Sequence, residues 1–332
     1  MKIVHILAAA LSLVLVSACG GGGGGGGGGS TATSSAPVTY VAAATAGELV
    51  SYTVDPSALT YSYTITESQY GLTGQTGSGT LTSLGNNGYS LSGISNSRIQ
   101  ILPNGLMLGA IRHNFGAGVT TVPVMGLANP VSTLTGVAGT YNYISRNCVS
   151  GTCGSNYGTL VINSGGTWSY CVSGNSAGCT ATGSGNLTAL GGGKFTVYDG
   201  GNTVGTMVAM ASSVSGQNVV IIDLKDARIS APTLGKGIVV ASSQVAINSA
   251  LTNGSWYVAG SNGSYGTFNL TGGNASYTSI NGVASSATSS VTFENPWTGM
   301  GSNVNGKGLL AGYGVYLFTA ASGYMEIGMK YN

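Results

Sequence analysis

Few residues in this chain are of types that do chemistry. The segment Gly174-Asn175-Ser176-Ala177-Gly178 matches the Gly-x-Ser-x-Gly pattern, which in some hydrolases exposes a nucleophilic serine between a strand and a helix. That arrangement also needs a histidine later in the chain, whereas His113 comes earlier and no histidine follows Ser176. The segment also lies between two cysteines, with no helical pattern after it. We therefore interpret it as a glycine- and serine-rich loop rather than as a nucleophile.

The carboxylates are equally sparse, and no local spacing pairs two of them. Glycoside hydrolysis needs two carboxyl groups that face one cleft at a set separation. The carboxylates are Glu48, Asp55, Glu67, Asp199, Asp223, Asp226, Glu294 and Glu326. Asp199-Gly200-Gly201-Asn202 is typical of a turn and has too few charged oxygens nearby for calcium. We therefore expect no catalytic residue, no metal and no cofactor, and a hydrolase is the least favoured function.

Four cysteines lie close together in the middle of the chain: Cys148, Cys153, Cys171 and Cys179. An even number in an exported segment predicts two disulfides. Zinc is disfavoured because the gaps are four and seven residues and no histidine is near. Three connectivities remain open. The bridges either close two separate loops or tie one loop to the other, and in an up-and-down meander both loops emerge at the same end.

The N-terminus carries an export signal. Met1-Lys2 precedes an apolar segment from Ile3 to Val16, shorter than the roughly 20 residues that span a bilayer. This is typical of a cleaved secretory signal. Ser17-Ala18-Cys19 then resembles the lipobox of bacterial lipoproteins. The resemblance implies that residues 1–18 are removed and that Cys19, acylated on its sulfur and amino group, anchors the mature protein in a membrane. The alternatives are a plain signal peptide or an uncleaved short anchor with an incidental cysteine.

Residues 19–46 are predicted to form a flexible tether. Gly20 to Gly29 is an unbroken glycine run, and it continues into Ser30-Thr31-Ala32-Thr33-Ser34-Ser35. A flexible coil of this length has an end-to-end distance on the order of 30 Å. Such a tether would let the folded body stand away from the lipid surface and reorient.

The composition excludes nucleic acid as a partner and predicts a folded body. Charged residues make up 5% of the chain, against roughly 25% in a typical soluble domain. No basic stripe is present that could follow a phosphate backbone. Apolar residues make up 42%, and tyrosines and β-branched residues recur along the chain, so it can bury a core.

From Glu48 onward the apolar pattern has a period of two residues. Leu59, Tyr61, Tyr63 and Ile65, for example, alternate with hydroxylated residues, as a half-buried strand requires. Turn signals such as Asn86-Asn87-Gly88 separate similar short runs. We therefore predict an all-β fold of antiparallel meander units, each a small barrel or sandwich, behind the glycine-rich tether.

The chain also repeats itself weakly. Gly77–Gly85 matches Gly183–Gly191, and Tyr157–Leu160 matches Tyr265–Phe268. A third set of similar segments has one member in each unit, and each is predicted to form the closing strand of its unit: Gly105–Arg112, Val219–Lys225 and Tyr324–Lys330. These repeats predict three related β units, at residues 47–131, 132–245 and 246–332, with the disulfides in the middle unit.

Aromatic residues are the better lead to function, since Tyr and Trp serve both cores and binding surfaces. Most of them should be core residues. Trp297 lies in the apparent loop Asn295-Pro296-Trp297-Thr298-Gly299, and it is the candidate residue for a contact surface.

The lipobox, the glycine tether and the all-β exported body together resemble glycine-tethered surface lipoproteins of Gram-negative bacteria, such as the neisserial factor H-binding and transferrin-binding lipoproteins. No binding motif is matched, and the low charge departs from those proteins, so no binding residue is carried over. By resemblance, Gly20 rather than an aspartate after Cys19 fits sorting to the outer membrane. The cell surface is favoured over the periplasmic face.

We expect a lipid-anchored module for binding or adhesion whose partner is an unknown protein or glycan. The alternative is a structural component that assembles with itself or with an outer-membrane complex. A membrane-spanning β-barrel is disfavoured because the strands are short and the chain already has a lipid anchor.

Overall fold

The computed structural model describes residues 36–94, 97–114, 119–149, 152–211, 217–225, 236–248, 252–311, 314–320 and 323–331. The signal segment, Cys19 and the glycine run precede residue 36 and lie outside the described residues. The described chain is nearly all antiparallel β-structure, and it forms two closed barrels and a third, open sheet. The prediction of an all-β fold built from small antiparallel units is confirmed.

The first unit is an eight-stranded up-and-down barrel. Each strand pairs with the next, and β1 closes the barrel by pairing with β8, where Tyr40 lies opposite Ala128. Buried tyrosines, among them Tyr52, Tyr61 and Tyr89, fill the interior. The strands are β1 (Val38–Ala44), β2 (Glu48–Asp55), β3 (Thr60–Ser68), β4 (Thr76–Gly85), β5 (Gly88–Leu91), β6 (Arg98–Ile101), β7 (Leu106–Asn114) and β8 (Val119–Ala128).

The prediction that residues 19–46 form a tether is wrong at its C-terminal end, because Val38–Ala44 forms strand β1. Tyr40, Ala42 and Ala44 belong to the interior cluster of the first barrel, while Ala43 packs on the other side of the strand. Alanine carries little hydrophobic signal in a sequence. Its small side chain nevertheless suits a strand that is closely packed on both faces. The first β unit therefore begins at Val38 rather than at residue 47.

The second unit is also a closed eight-stranded barrel, preceded by the short helix α1 (Leu134–Val137). The helix begins after Thr133, whose hydroxyl accepts a hydrogen bond from the backbone N–H of Gly136 at 3.2 Å. Val137 is fully buried, and its carbonyl accepts a hydrogen bond from the Tyr141 hydroxyl at 2.6 Å. Helix α1 therefore covers the end of the barrel where its first strand begins. The strands are β9 (Gly139–Val149), β10 (Thr152–Ile162), β11 (Thr167–Val172), β12 (Gly183–Gly191), β13 (Lys194–Asp199), β14 (Asn202–Ala211), β15 (Asn218–Lys225) and β16 (Lys236–Ser243).

The third unit is an open sheet of ten strands. Its order is β20-β19-β18-β17-β26-β25-β24-β23-β22, and β21 pairs with β19. The last strand pairs with the first strand of the unit, as it does in both barrels. The strands are β17 (Gly254–Gly260), β18 (Tyr265–Thr271), β19 (Asn274–Ile280), β20 (Val283–Ala284), β21 (Thr288–Ser290), β22 (Thr292–Phe293), β23 (Met300–Asn303), β24 (Gly306–Ala311), β25 (Val315–Ala320) and β26 (Met325–Lys330).

The strongest sequence repeat has a structural basis in the fourth strand of each barrel. In β4 and β12, alternate glycines lie directly opposite aromatic residues of the preceding strand, and the aromatic ring covers the glycine. The pairs are Gly77–Tyr63, Gly79–Tyr61, Gly183–Tyr170 and Gly185–Trp168. A Cβ atom on any of these glycines would come within 2.8 Å of the ring. The Gly-Ser-Gly sequence therefore recurs because a larger side chain would displace the ring.

The prediction for the closing strands is wrong in the two barrels. Gly105–Arg112 and Val219–Lys225 fall on β7 and β15, and one more strand follows each before the barrel closes. Only Tyr324–Lys330, which falls on β26, closes onto the first strand of its own unit. The apolar runs of β7 and β15 are alike because both strands are buried on two faces, not because both close a sheet.

One hydrophobic core is shared by all three units. It is built mostly from the outer faces of β7 and β8, of β14 to β16, and of β17 and β24 to β26. In β15, Val219 and Ile221 face this shared core, while Val220 and Ile222 face the interior of the second barrel. Burial on both faces explains why the strand is continuously apolar rather than alternating. The described residues consequently form one compact unit.

Candidate functional site

The second barrel encloses a cavity of about 210 Å³. At the end covered by α1, the barrel is filled by Val137, Tyr141 and Phe195. The cavity occupies the remaining length and extends toward the opposite end, where β9 ends and β10 begins. The interior of this barrel is thus packed at one end and hollow at the other.

The walls of the cavity are mostly apolar. Trp168 stacks on Tyr170 with ring centroids 5.9 Å apart, and Tyr143 meets Tyr170 edge-on at 6.4 Å. Aliphatic side chains complete the wall: Leu160, Ile162, Leu187, Val197, Met207 and Ile222. Such walls favour a ligand with apolar rings over a strongly hydrated one such as a glycan.

Two buried polar atoms in this lining lack hydrogen-bond partners within the described structure. One is the indole Nε1 of Trp168, a donor, and the other is Oδ1 of Asn147, an acceptor. Leaving a buried donor or acceptor unpaired costs about 1–3 kcal/mol. A bound molecule that offers an acceptor to Trp168 Nε1, or a donor to Asn147 Oδ1, would recover part of that cost.

The mouth of the cavity is polar, and the sequence contains a signal for it. The positions of β9 that face inward run from Tyr141 and Tyr143 to Ser145 and Asn147. This change from aromatic to polar residues along one strand face marks where the packed interior gives way to the mouth. From the sequence, the aromatic residues of this region are expected to lie in the core, and no pattern marks Asn147 or Trp168 as carrying an unpaired polar atom.

Both disulfides form as predicted, and both are local: Cys148–Cys153 and Cys171–Cys179. The first joins directly paired positions of β9 and β10, and the second ties the end of β11 to the loop that leads into β12. Both lie at the open end of the barrel. The Tyr143 hydroxyl donates to the Cys171 carbonyl oxygen at 3.4 Å, so the second bridge fixes backbone that supports the cavity wall.

The Gly174–Gly178 segment lies within the loop closed by Cys171–Cys179, and the next element after it is strand β12. The interpretation of this segment as a loop is confirmed, because the nucleophile pattern requires a helix at that point.

Trp297, the candidate contact residue, joins two units of the same chain. Its indole Nε1 donates to Asn142 Oδ1 at 2.8 Å, and its ring stacks on Tyr157 with centroids 6.0 Å apart. Asn142 is fully buried and also donates to the Thr298 carbonyl oxygen at 2.8 Å. The contact that the structure contains is therefore internal, and a contact of Trp297 with a partner stays a prediction.

Charged groups are rare around the cavity. Among the described residues that line it there is one carboxylate, Asp199, and one cationic residue, Lys225. The ammonium of Lys225 is ion-paired with Glu67 of the first barrel. Across the described ranges, no three His, Cys, Asp or Glu side chains are grouped so as to hold a metal ion. The arrangement can hold a molecule by apolar contact and orient it by a hydrogen bond to one of the two unpaired polar atoms.

No helix in the described part of the chain has the length and hydropathy needed to cross a bilayer.

Comparison with known proteins gives no family. No family model and no curated protein matches this chain. Among solved structures, the chain is similar to a protein of unknown function from the DUF3598 family of Nostoc punctiforme. The match has 11% identity and a TM-score of 0.26, and it covers 62% of this chain and 94% of that one. At that TM-score the likeness supports no conclusion about this chain.

Proposed function

We propose that this chain is a lipid-anchored binding protein of the outer membrane, displayed at the cell surface, whose ligand enters the second barrel. The observation that carries the proposal is the hollow, apolar end of that barrel, with Trp168 Nε1 and Asn147 Oδ1 unpaired in its lining. The lipobox at Cys19 supports the anchoring. The two disulfides restrain the loops around the entrance, which keeps the site preformed and lowers the entropy lost on binding.

The size and polarity of the cavity define the ligand class. Sites for drug-sized ligands usually measure about 300–1,000 Å³. At about 210 Å³ the cavity suits a smaller molecule of one or two rings. The ligand carries a polar group that can accept a hydrogen bond from Trp168 Nε1, as a hydroxyl does.

Two matched probes test this site: 2-naphthol, which carries such a hydroxyl, and naphthalene, which does not. We expect 2-naphthol to bind one per chain and more tightly than naphthalene, measured by fluorescence titration. Trp168→Phe should weaken 2-naphthol binding about tenfold, the size of one lost hydrogen bond of about 1.4 kcal/mol, and leave naphthalene binding unchanged. Trp256→Phe is the control, because that indole N–H already donates to the Thr252 carbonyl oxygen at 3.0 Å in the third unit.

A second variant tests the location independently of hydrogen bonding. Leu187 lies in the wall, and Leu187→Trp should fill the cavity and abolish binding of both probes. Circular dichroism and a thermal melt establish that the variant is folded. Undiminished binding by a folded Leu187→Trp protein would place the site outside the second barrel and overturn the proposal.

A further inference from the structure

The concave face of the third sheet holds a second cavity, of about 270 Å³. Aromatic side chains form much of its wall: Phe268, Tyr277, Tyr316, Phe318 and Tyr324. Phe268 meets Tyr316 at 5.6 Å with an interplanar angle of 74°, and it meets Tyr277 at 5.5 Å with an angle of 48°. Because neighbouring rings are steeply inclined to each other, they surround a space instead of stacking flat. The opposite rim is polar, with Thr288, Ser289 and Asn303.

One carboxyl group, that of Glu326, lies in this aromatic wall. Strand alternation places it there, since the adjacent Met325 and Ile327 face the shared core. Glu326 is 7% exposed, and the Tyr324 hydroxyl donates to its Oε2 at 2.8 Å. The Tyr316 hydroxyl also favours the ionised form of the carboxyl. Burial raises the pKa of Glu326 to about 7, against the opposing effect of these two tyrosine hydroxyls.

This combination of groups lacks one component, a cation. The described residues that line the cavity include no lysine and no arginine, so no charge among them compensates an ionised Glu326. A buried carboxylate is costly unless it is paired. Aromatic faces carry partial negative charge and attract cations, above all organic ammonium ions, which are weakly hydrated. The carboxyl and the rings therefore favour the same kind of ligand.

We propose that the cavity of the third unit binds a small organic ammonium ion, with the cationic nitrogen held between Glu326 and the aromatic wall. The site is separate from the second barrel and does not depend on the function proposed for it. The cation stabilises ionised Glu326, so binding releases the proton that this carboxyl holds at lower pH. Affinity therefore rises as the pH increases, by about tenfold between about pH 6 and about pH 8 for a group of this pKa.

Choline is a suitable probe because its charge does not titrate, and 3,3-dimethylbutan-1-ol is its neutral counterpart of the same shape. We expect calorimetry or ligand-observed NMR on the full mature chain to give saturable choline binding, one per chain. The neutral alcohol should bind at least about tenfold more weakly, since it lacks both the ion pair and the cation–π contact. This comparison uses the wild-type protein and does not depend on any variant folding.

Two substitutions separate the contribution of the Glu326 carboxyl to choline binding from that of the aromatic wall. Glu326→Gln should weaken choline binding at about pH 8 by at least about tenfold and remove its pH dependence. Phe318→Leu should weaken it about threefold and keep the pH dependence, because only one ring face is lost. Asp55→Asn is the matched control, since Asp55 lies in a turn of the first barrel, where it accepts from the backbone N–H groups of Ser57 and Ala58.

Three outcomes would overturn the proposal. The first is the absence of saturable choline binding. The second is equal binding of choline and the neutral alcohol, and the third is choline binding to folded Glu326→Gln with unchanged affinity. A failure of 2-naphthol binding in the second barrel would leave this site unaffected, and the reverse also holds.

Discussion

Two carboxyl groups lie where the first two barrels meet, one of them partly exposed and the other fully buried, and they differ in their partners. Glu67 is ion-paired with Lys225 and with Lys194, and it accepts a hydrogen bond from Thr206 at 2.8 Å. Burial alone would raise its pKa, but these partners hold the pKa below its usual range. Asp223 is 1% exposed, and neither of its carboxylate oxygens has a hydrogen-bond partner in the described structure. Burial raises its pKa well above the usual range.

The two groups should therefore affect stability with opposite signs. Asp223 binds a proton more tightly in the folded state, so folding loses stability as the pH rises from about 4, its unfolded pKa, through its folded pKa. We expect Asp223→Asn to raise the free energy of unfolding at about pH 7 by about 1–3 kcal/mol and to have little effect below about pH 4. Urea denaturation over that pH range measures the difference.

Glu67→Gln is the matched comparison for Asp223→Asn. Glu67 contributes stability that is present above its unfolded pKa of about 4.3 and is lost as the pH falls through its lower folded pKa. The variant should lose about 1 kcal/mol of unfolding free energy at about pH 7, because the side chains are partly exposed and the ion pairs are screened.

A destabilised Asp223→Asn protein at neutral pH would contradict the prediction for Asp223, because it would mean that Asp223 has a partner that satisfies its charge.

At the scale of strands and loops, the sequence predicted what depends on local pattern. The alternation of apolar and polar residues, together with the turn signals, was sufficient to predict an antiparallel meander. The geometry of a meander was then sufficient to place both cysteine pairs at one end of the second barrel. The disulfide connectivity could not be predicted, because it depends on the register that sets Cys148 opposite Cys153. Strand β1 was missed because alanines lie where larger apolar residues would have given a signal.

The two disulfides should contribute unequally to the open end of the second barrel. Cys148–Cys153 joins residues already paired across β9 and β10, whereas Cys171–Cys179 closes a loop outside the ladder. We expect the Cys171→Ser/Cys179→Ser double variant to lose about 2–3 kcal/mol of stability and to become sensitive to proteolysis within residues 173–182. Cys148→Ser/Cys153→Ser should lose less and stay resistant there. Limited proteolysis with mass spectrometry distinguishes the two, and equal sensitivity would contradict the unequal roles.

At the scale of the whole molecule, the sequence predicted three units but could not predict how they associate. The shared core draws Leu108 from the first barrel, Ile221 from the second and Ile327 from the third, so its contacts join residues that are distant in the chain. The cavities were equally inaccessible from sequence. A ring such as Trp168 has the same local pattern whether the space beside it is filled or empty, and only the packing of all eight strands decides which.

The shared core makes a thermodynamic prediction about the three units together. Ile221 is fully buried in the shared core, and Ile65 is buried inside the first barrel alone. Ile221→Ala and Ile65→Ala should each cost about 2–5 kcal/mol. Because removing one unit would expose the apolar faces of the other two, we expect calorimetry of residues 36–332 to give one unfolding transition, which both variants shift as a whole. Separate transitions, of which Ile65→Ala moves only one, would mean that the barrels fold independently despite sharing a core.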